Sequence, residues 1–352
     1  MKKVAVVLAT LLGAVSRLFA YNPPVGGESI FRIGNPDLLA GAGTASGGPV
    51  FTVVPASIAF NPALTAFEQR VVLNVTYVGM LDLKSDEGDK YGQAFQLGLI
   101  IPTKWFVFTG FTQGSFSKIY RSYWTNSMNF KFGISKDVTE KLSLGANIYS
   151  GFYFGENKSD FTIGLDLGVL YRFDDIAFMK SPRLGISFLN LGKPLGSDFH
   201  DVIGANDTTD DVSFPGIITP HGSFAFTFLK MRNLEAGFSL GLTFPFFQNM
   251  LVDTAVALCY KNMVQFSITW DANVYELAYD KKANIPAVGL GIRFAINSRR
   301  ISKNADWEQS ELRPSFTWQN RNNGINIFST GMNLALGLAD TTPPEIILWN
   351  EE

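Results

Sequence analysis

The chain has 352 residues, 46% hydrophobic and 14% aromatic but only 17% charged, with mean hydropathy +0.12. Charge this sparse, against about 25% in an average soluble domain, argues against an ordinary water-soluble fold, yet no apolar run approaches the roughly 20 residues that a spanning helix needs. Net charge is -2 with no basic tail or patch, which speaks against nucleic acid as a partner.

Residues 1–20 read as a secretory signal peptide. Lys2 and Lys3 form its basic start, Val4 to Val15 its apolar core, and Ala20 a small residue at the cut. Leu18 fits the −3 position loosely, so the cut is expected within a few residues of Ala20. No cysteine stands there to carry a lipid anchor. The lone Cys259 has no partner for an internal disulfide and reads as small hydrophobic filler in a strand.

Residues 21–69 are rich in Gly, Ala, Ser and Pro, as in the run from Gly41 to Pro49, and show no sustained alternation. With Ile58, Phe60, Leu64 and Phe67, the segment is too apolar for a free linker. The simplest cover for it is the inside of a barrel, where it forms a hatch.

From Arg70 to Leu338 one pattern recurs about fourteen times: apolar and polar residues alternate strictly over ten to fifteen positions, then a short polar turn follows. A strand points successive side chains to opposite faces, so each such run has one greasy and one polar face. The pattern predicts strands at 71–83, 92–101, 104–117, 122–136, 141–155, 160–173, 183–192, 218–229, 233–245, 250–260, 264–275, 286–297, 310–320 and 325–338. Long strands in that number, with no helical periodicity between them, predict a 14-stranded antiparallel transmembrane β-barrel with lipid outside and a polar bore within. The 33 glycines agree, since lumen-facing Gly lets backbone pass close by.

Phase assigns the faces. In the sixth strand Phe161, Ile163, Leu165, Leu167, Val169 and Tyr171 face lipid, against Thr162, Gly164, Asp166, Gly168 and Arg172. In the twelfth, Val288, Leu290, Ile292, Phe294 and Ile296 face out, and Gly289, Gly291 and Arg293 face in. Pro102, Pro182, Pro245 and Pro286 fall near strand ends, where a missing N–H does least harm. With a periplasmic N-terminal segment, an even strand count puts 84–91, 193–217 and 276–285 outside, and Pro102-Thr103 and Lys261-Asn262-Met263 among the inner turns. Ser298–Gln309 breaks that asymmetry by being long, charged and periplasmic. Residues 339–352 form a periplasmic tail that leaves through Asp340-Thr341-Thr342-Pro343-Pro344.

The third strand alternates worst. Trp105, Phe106, Val107 and Phe108 give it two apolar faces before Gly110, as a kinked strand, a bulge or a misplaced boundary would. Inward charges are Lys131, Asp166, Arg172, Asp271 and Arg293; Asp271 and Arg293 lie on adjacent strands and are expected to pair. These charges read as a network that holds the plug, or as a site where Arg172 or Arg293 meets a substrate carboxylate. His200 falls in the long loop and His221 faces the lumen near the outer mouth. Ser223, on the same face, lies about 6–7 Å from His221, too far for a direct bond. No metal cluster, phosphate loop or nucleophile motif is present, so neither an enzyme nor a cofactor is expected.

Asn61-Pro62-Ala63-Leu64 stands between the Gly/Ala-rich segment and the first strand. Motif, position and strand count together resemble the FadL superfamily of outer-membrane transporters, including uncharacterised spirochaetal FadL-like proteins and the PorV/PorQ branch. The resemblance implies a fourteen-stranded barrel in the cell outer membrane whose hatch ends in an NPA motif, here Asn61, Pro62 and Ala63. It implies uptake of long-chain fatty acids or other hydrophobic small molecules: capture between two outer loops, then a lumen pocket, then lateral exit into outer-membrane lipid. The exit would lie at a third-strand kink, here Phe106, Phe108 and Gly110, opened by hatch movement. Glu156–Ser159 is very short for the third outer loop of such a groove. The PorV-like branch implies instead a barrel that scaffolds periplasmic or surface protein partners through 193–217, 298–309 and the tail. A third reading, an open water-filled pore, predicts ion conductance.

Overall fold

The computed structural model describes residues 29–84, 90–117, 119, 126–154, 159–193, 218–247, 249–274, 277–278, 284–297, 309–321 and 324–337. The expected signal peptide, His200, the Lys193–Ile217 and Ser298–Gln309 connections and the tail lie wholly or almost wholly outside them. So does nearly all of Glu156–Ser159.

Fourteen strands form one closed antiparallel barrel. They are β1 (Val71–Asp82), β2 (Tyr91–Pro102), β3 (Val107–Ser117), β4 (Asn126–Asp137), β5 (Leu142–Phe154), β6 (Ser159–Arg172) and β7 (Lys180–Lys193). The second half is β8 (Thr219–Lys230), β9 (Leu234–Thr243), β10 (Leu251–Tyr260), β11 (Val264–Asn273), β12 (Ala287–Ile292 and Phe294–Asn297, interrupted at Arg293), β13 (Gln309–Arg321) and β14 (Ile325–Leu336). Each pairs with its neighbours in sequence. The seam closes where β14 meets β1, from Val71 opposite Leu336 to Asp82 opposite Ile325. The two pieces of β12 hold one register against β13, with Gly291 opposite Ser315 and Phe294 opposite Leu312, so Arg293 interrupts the strand without a bulge.

Period two sorts the faces throughout. Phe161, Ile163, Leu165 and Leu167 are exposed on the outside of β6, while Thr162 and Asp166 are buried within. The outside is a belt of Phe, Leu, Ile and Val, as a hydrocarbon surround demands. The strands start and stop within a few residues of where alternation predicts, and β3 shows why one differs. It begins at Val107 rather than 104, because Thr103 and Phe106 close a turn. The Thr103 amide donates to the Phe106 carbonyl at 2.9 Å, and the Thr103 hydroxyl does so at 2.6 Å. Trp105 and Phe106 are therefore exposed turn residues, and from Val107 onward β3 alternates normally.

Residues 29–70 pack inside the ring of strands. They contain two one-turn helices, α1 (Ile30–Ile33) and α2 (Pro36–Leu39), and 3-10 turns at Pro55–Ala59 and Pro62–Thr65. Pro at the first position of three of these four turns supplies a preset φ, and Asn35 and Asn61 cap two of them by accepting from Asp37 and Ala63 amides. Leu38, Leu39, Val54, Ala56, Ile58, Ala63 and Leu64 are all buried, although the segment has no regular period of its own.

Because the lipid face is set by phase alone, one charge on it is costly. Leu165→Arg, halfway along β6, should destabilise the barrel by about 2–4 kcal/mol. The same exchange at Leu83, in the polar connection after β1, should cost under about 1 kcal/mol. Urea titration of barrels refolded into lipid vesicles measures both.

Candidate functional site

The wall holds the luminal segment by side chains that answer its irregular backbone. Moving round the barrel, Thr76 of β1 donates to the Gly34 carbonyl, and Gln96 of β2 accepts from the Asn35 amide group at 3.0 Å. Gln113 of β3 donates to Ile30 O at 3.0 Å, Asn147 of β5 to Ile58 O at 2.9 Å, and Ser187 of β7 to Phe60 O at 2.6 Å. Ser223 of β8 accepts from the Ser46 amide, while Thr269 of β11 and Thr317 of β13 donate to the Gly41 and Pro36 carbonyls, each at 2.9 Å. Ser223 is thus committed to the segment and has no partner role for His221, which is buried with its ring edge-on to Phe60 at 6.2 Å.

Asn61, Pro62 and Ala63 sit in close contact with the wall. Asn61 is extended (φ −158°, ψ 116°) and fully buried. Its amide donates to the Ala45 carbonyl at 2.7 Å and to the Val169 carbonyl of β6 at 2.9 Å, while its oxygen accepts the Ala63 amide at 2.9 Å. Two wall glycines make room for the corner: a Cβ on Gly145 would run into the Pro62–Ala63 backbone, and one on Gly168 into the Asn61 side chain.

On the far side of the segment, away from where it joins β1, lies a narrow cavity of about 70 Å³. Its wall mixes aromatic rings with ion pairs: Phe31, Phe60 and Tyr149 beside Arg32–Asp253, Arg321–Asp271 and Lys131. Lys131 pairs with Asp166 at 2.5 Å and lies 5.0 Å and 4.7 Å from the Phe31 and Tyr149 ring centres, so its charge is balanced on every side. The other oxygen of Asp166 accepts the Asn190 amide at 2.7 Å, where β6 and β7 shift register and Asn190 takes a left-handed φ of 61°.

Of the lumen-facing residues expected from phase, Lys131, His221 and Asp271 line this cavity; Asp166, Arg172 and Arg293 do not. Asp271 and Arg293 do not pair. The β11–β12 register sets Val264 opposite Ile292 and Thr269 opposite Ala287, which leaves the two residues at opposite ends of the strand pair. Asp271 binds Arg321, and Arg293 lies 3.5 Å from Glu311. Phase names a face but not a depth. Arg32, Asp253 and Arg321 escaped the sequence reading: Arg32 sits in a segment without period, and Arg321 just beyond a predicted strand end. Asp253 was legible in principle, since it is in phase with buried Leu251 and Ala255.

Phe108 and Gly110 meet on the outside of β3, in an apolar hollow of about 960 Å³ that spreads over the lipid face of β1 to β6. Phe106 is apart from them, in the turn beneath Lys136. Gly110 lets the Phe132 ring lie over β3, since a Cβ there would meet that ring at 2.8 Å. The ladders on both sides of β3 run without a register shift, so of a kink, a bulge and a misplaced boundary it is the boundary, at the Thr103–Phe106 turn, that accounts for the poor alternation. The hollow and the inner cavity lie back to back: along β4, Asn129 and Lys131 face the cavity while Phe130 and Phe132 face the hollow.

No protein-family description and no curated protein matches the sequence. Among solved structures, the chain is similar to a deletion mutant (deltaS2) of TodX, described as a monoaromatic hydrocarbon channel. The identity is 10%, over 88% of this chain and all of that one, with TM-score 0.50. A second TodX deletion mutant (deltaS2S3) gives 12% identity over 85% and 99%, also at 0.50. The Ralstonia pickettii toluene transporter TbuX overlaps at TM-score 0.49 with 12% identity over 87% and 98%. What the two likenesses at 0.50 show is the fold alone: one closed antiparallel barrel.

Removing the Asn61 side chain should loosen the corner while leaving the strands intact. Asn61→Ala deletes the partners of two carbonyls and one amide, at a cost of about 1–3 kcal/mol. The expected result is higher ion conductance in planar bilayers with unchanged far-UV circular dichroism.

Proposed function

We propose that this protein is an outer-membrane transporter of hydrophobic small molecules, in which residues 29–70 act as a hatch and the substrate leaves laterally into lipid. The observation that carries the reading is the back-to-back placement of an aromatic cavity inside and an apolar hollow outside, separated by the single wall layer of β3 to β5. A molecule that partitions into the hollow has only that layer to cross. The shared fold with proteins described as monoaromatic hydrocarbon channels supports the same class of cargo. Long-chain fatty acids belong to the same class of cargo by their apolar chains, which suit the aromatic cavity and the outer hollow; the cavity's Lys131 and Arg32 are already paired with Asp166 and Asp253. A lumen packed on every side by the segment favours this over an open water-filled pore. The scaffold reading rests on segments outside the described residues, and nothing in the barrel favours it.

Cells carrying the protein should take up labelled oleate or labelled toluene faster than matched cells without it. Gly110→Trp, which fills the outer hollow, should cut that uptake several-fold while the folded barrel keeps its heat-dependent gel mobility. Equal uptake of both labels with and without the protein would end the proposal.

A further inference from the structure

At the end where the segment joins β1, a second cavity of about 290 Å³ is lined by Arg70, Arg183, Arg293 and Arg313. Three of these are neutralised. Arg70 binds Glu68 and Glu311, each at 2.8 Å; Arg293 lies 3.5 Å from Glu311; Arg313 lies 3.2 Å from Asp37 and donates to Gln265 at 2.8 Å. Glu235, the remaining acid on the cavity wall, pairs with Lys230 at 3.6 Å.

Arg183 is the exception, and it is not alone. It stands directly opposite Arg172 in the β6–β7 register, and both face the lumen. Among the described residues neither side chain has an ion pair or a hydrogen bond, and the Nε of each is buried. The Arg172 guanidinium lies over the Phe67 ring of the segment; Asp137 acts on it electrostatically but forms no ion pair with it, and its carboxylate accepts the Ser143 hydroxyl at 3.0 Å. Directly opposed side chains have Cβ atoms about 4.5–5.5 Å apart, where like charges are destabilising. Arg183 lines the cavity and Arg172 stands opposite it on the next strand. Two guanidinium side chains rooted there with no carboxylate in ion-pair contact, beside a cavity whose other arginines are paired, make a fork suited to a planar or tetrahedral oxyanion.

We propose that Arg172 and Arg183 form an oxyanion site that takes a carboxylate or phosphate group from this cavity. The site goes beyond the transport reading and stands without it, since it concerns equilibrium binding at the other end of the lumen.

The test melts the full-length protein in non-ionic detergent, at matched ionic strength, in sodium chloride, sodium phosphate or sub-micellar sodium octanoate. Wild type should melt about 2 °C or more higher in at least one oxyanion than in chloride, at roughly ten times its Kd. Arg183→Gln and Arg172→Gln should lose that rise, Arg183→Lys should keep part of it, and Lys141→Gln, an exposed turn lysine, should keep all of it. A rise with octanoate alone identifies the head of an amphipathic acid, and a rise with phosphate identifies free phosphate. A rise only in phosphatidylglycerol nanodiscs, against phosphatidylcholine and lost in Arg183→Gln, identifies a lipid headgroup. In chloride the Gln variants, relieved of repulsion, should melt no lower than wild type. The proposal is overturned by equal melting in every salt and lipid, by a rise that survives both Gln variants, or by Gln variants already weakened in chloride, which would make the pair structural.

Discussion

The constraint on which this structure depends is hydrogen bonding of irregular backbone at membrane depth. Non-helical, unpaired chain survives there only where protein satisfies it, and the luminal segment is mostly such chain. The wall responds with Thr76, Gln113, Asn147, Ser187, Thr269 and Thr317, each donating to a segment carbonyl from a different strand. An unmet buried carbonyl costs about 1–3 kcal/mol, so the polar inner face is the complement of one particular chain trace. Lumen-facing Ser and Thr outnumber charges for the same reason: a short hydroxyl can reach a carbonyl without carrying a charge to be neutralised.

Where charges do enter the bore, geometry has made them part of the frame. Asp166 serves Lys131 with one oxygen and the freed Asn190 amide of the β6–β7 irregularity with the other. Asp271 collects Arg321, Gln319 and Asn284. Buried pairs of this kind add little net stability, but losing one partner leaves a stranded charge and is expensive. They therefore fix β4, β6 and β7 in relation to one another, and β11 in relation to β13.

Strand number, strand faces and the outer belt were legible because period two is a local property, written in residues two apart. Composition marks 21–69 as too apolar for a free linker, and within the described part Leu38, Leu39, Ile58 and Leu64 are buried. Partners were harder. Asp271 and Arg293 share an inward phase on adjacent strands, yet the register separates them by most of a strand length. Register is set by turns and bulges, such as the Lys261-Asn262 turn with both φ values positive, and these leave faint marks in sequence. The aromatic turn at Trp105-Phe106 misled in the other direction. It extends a strand on paper because turn residues at a membrane boundary are as greasy as the strand itself.

Lateral passage and axial passage face different barriers in this barrel. Opening the wall at β3 and β4 breaks ladder bonds in hydrocarbon, where each freed N–H or carbonyl costs several kcal/mol unless something replaces its partner. Moving the segment breaks side-chain bonds that water in the bore can replace, at the net cost of an ordinary exchange, about 0.5–1.5 kcal/mol each. The segment is consequently the softer element of the two, and its first turn is the part that borders the inner cavity. There, α1 is tied to the wall by Gln113, by the Arg32–Asp253 pair and by Ile33 packed among Val78, Met80 and Ile327, whereas the Asn61 corner is locked into the Gly145 and Gly168 recesses. In the transport reading, displacement of α1 enlarges the cavity behind β3 and β4 first. Phe31, which packs edge-on to Phe111 at 5.4 Å, leaves with it and strips β3 of its inner support. The outer hollow already lies over that stretch of wall, so the inner face and the outer face would both be unsupported at the same strand.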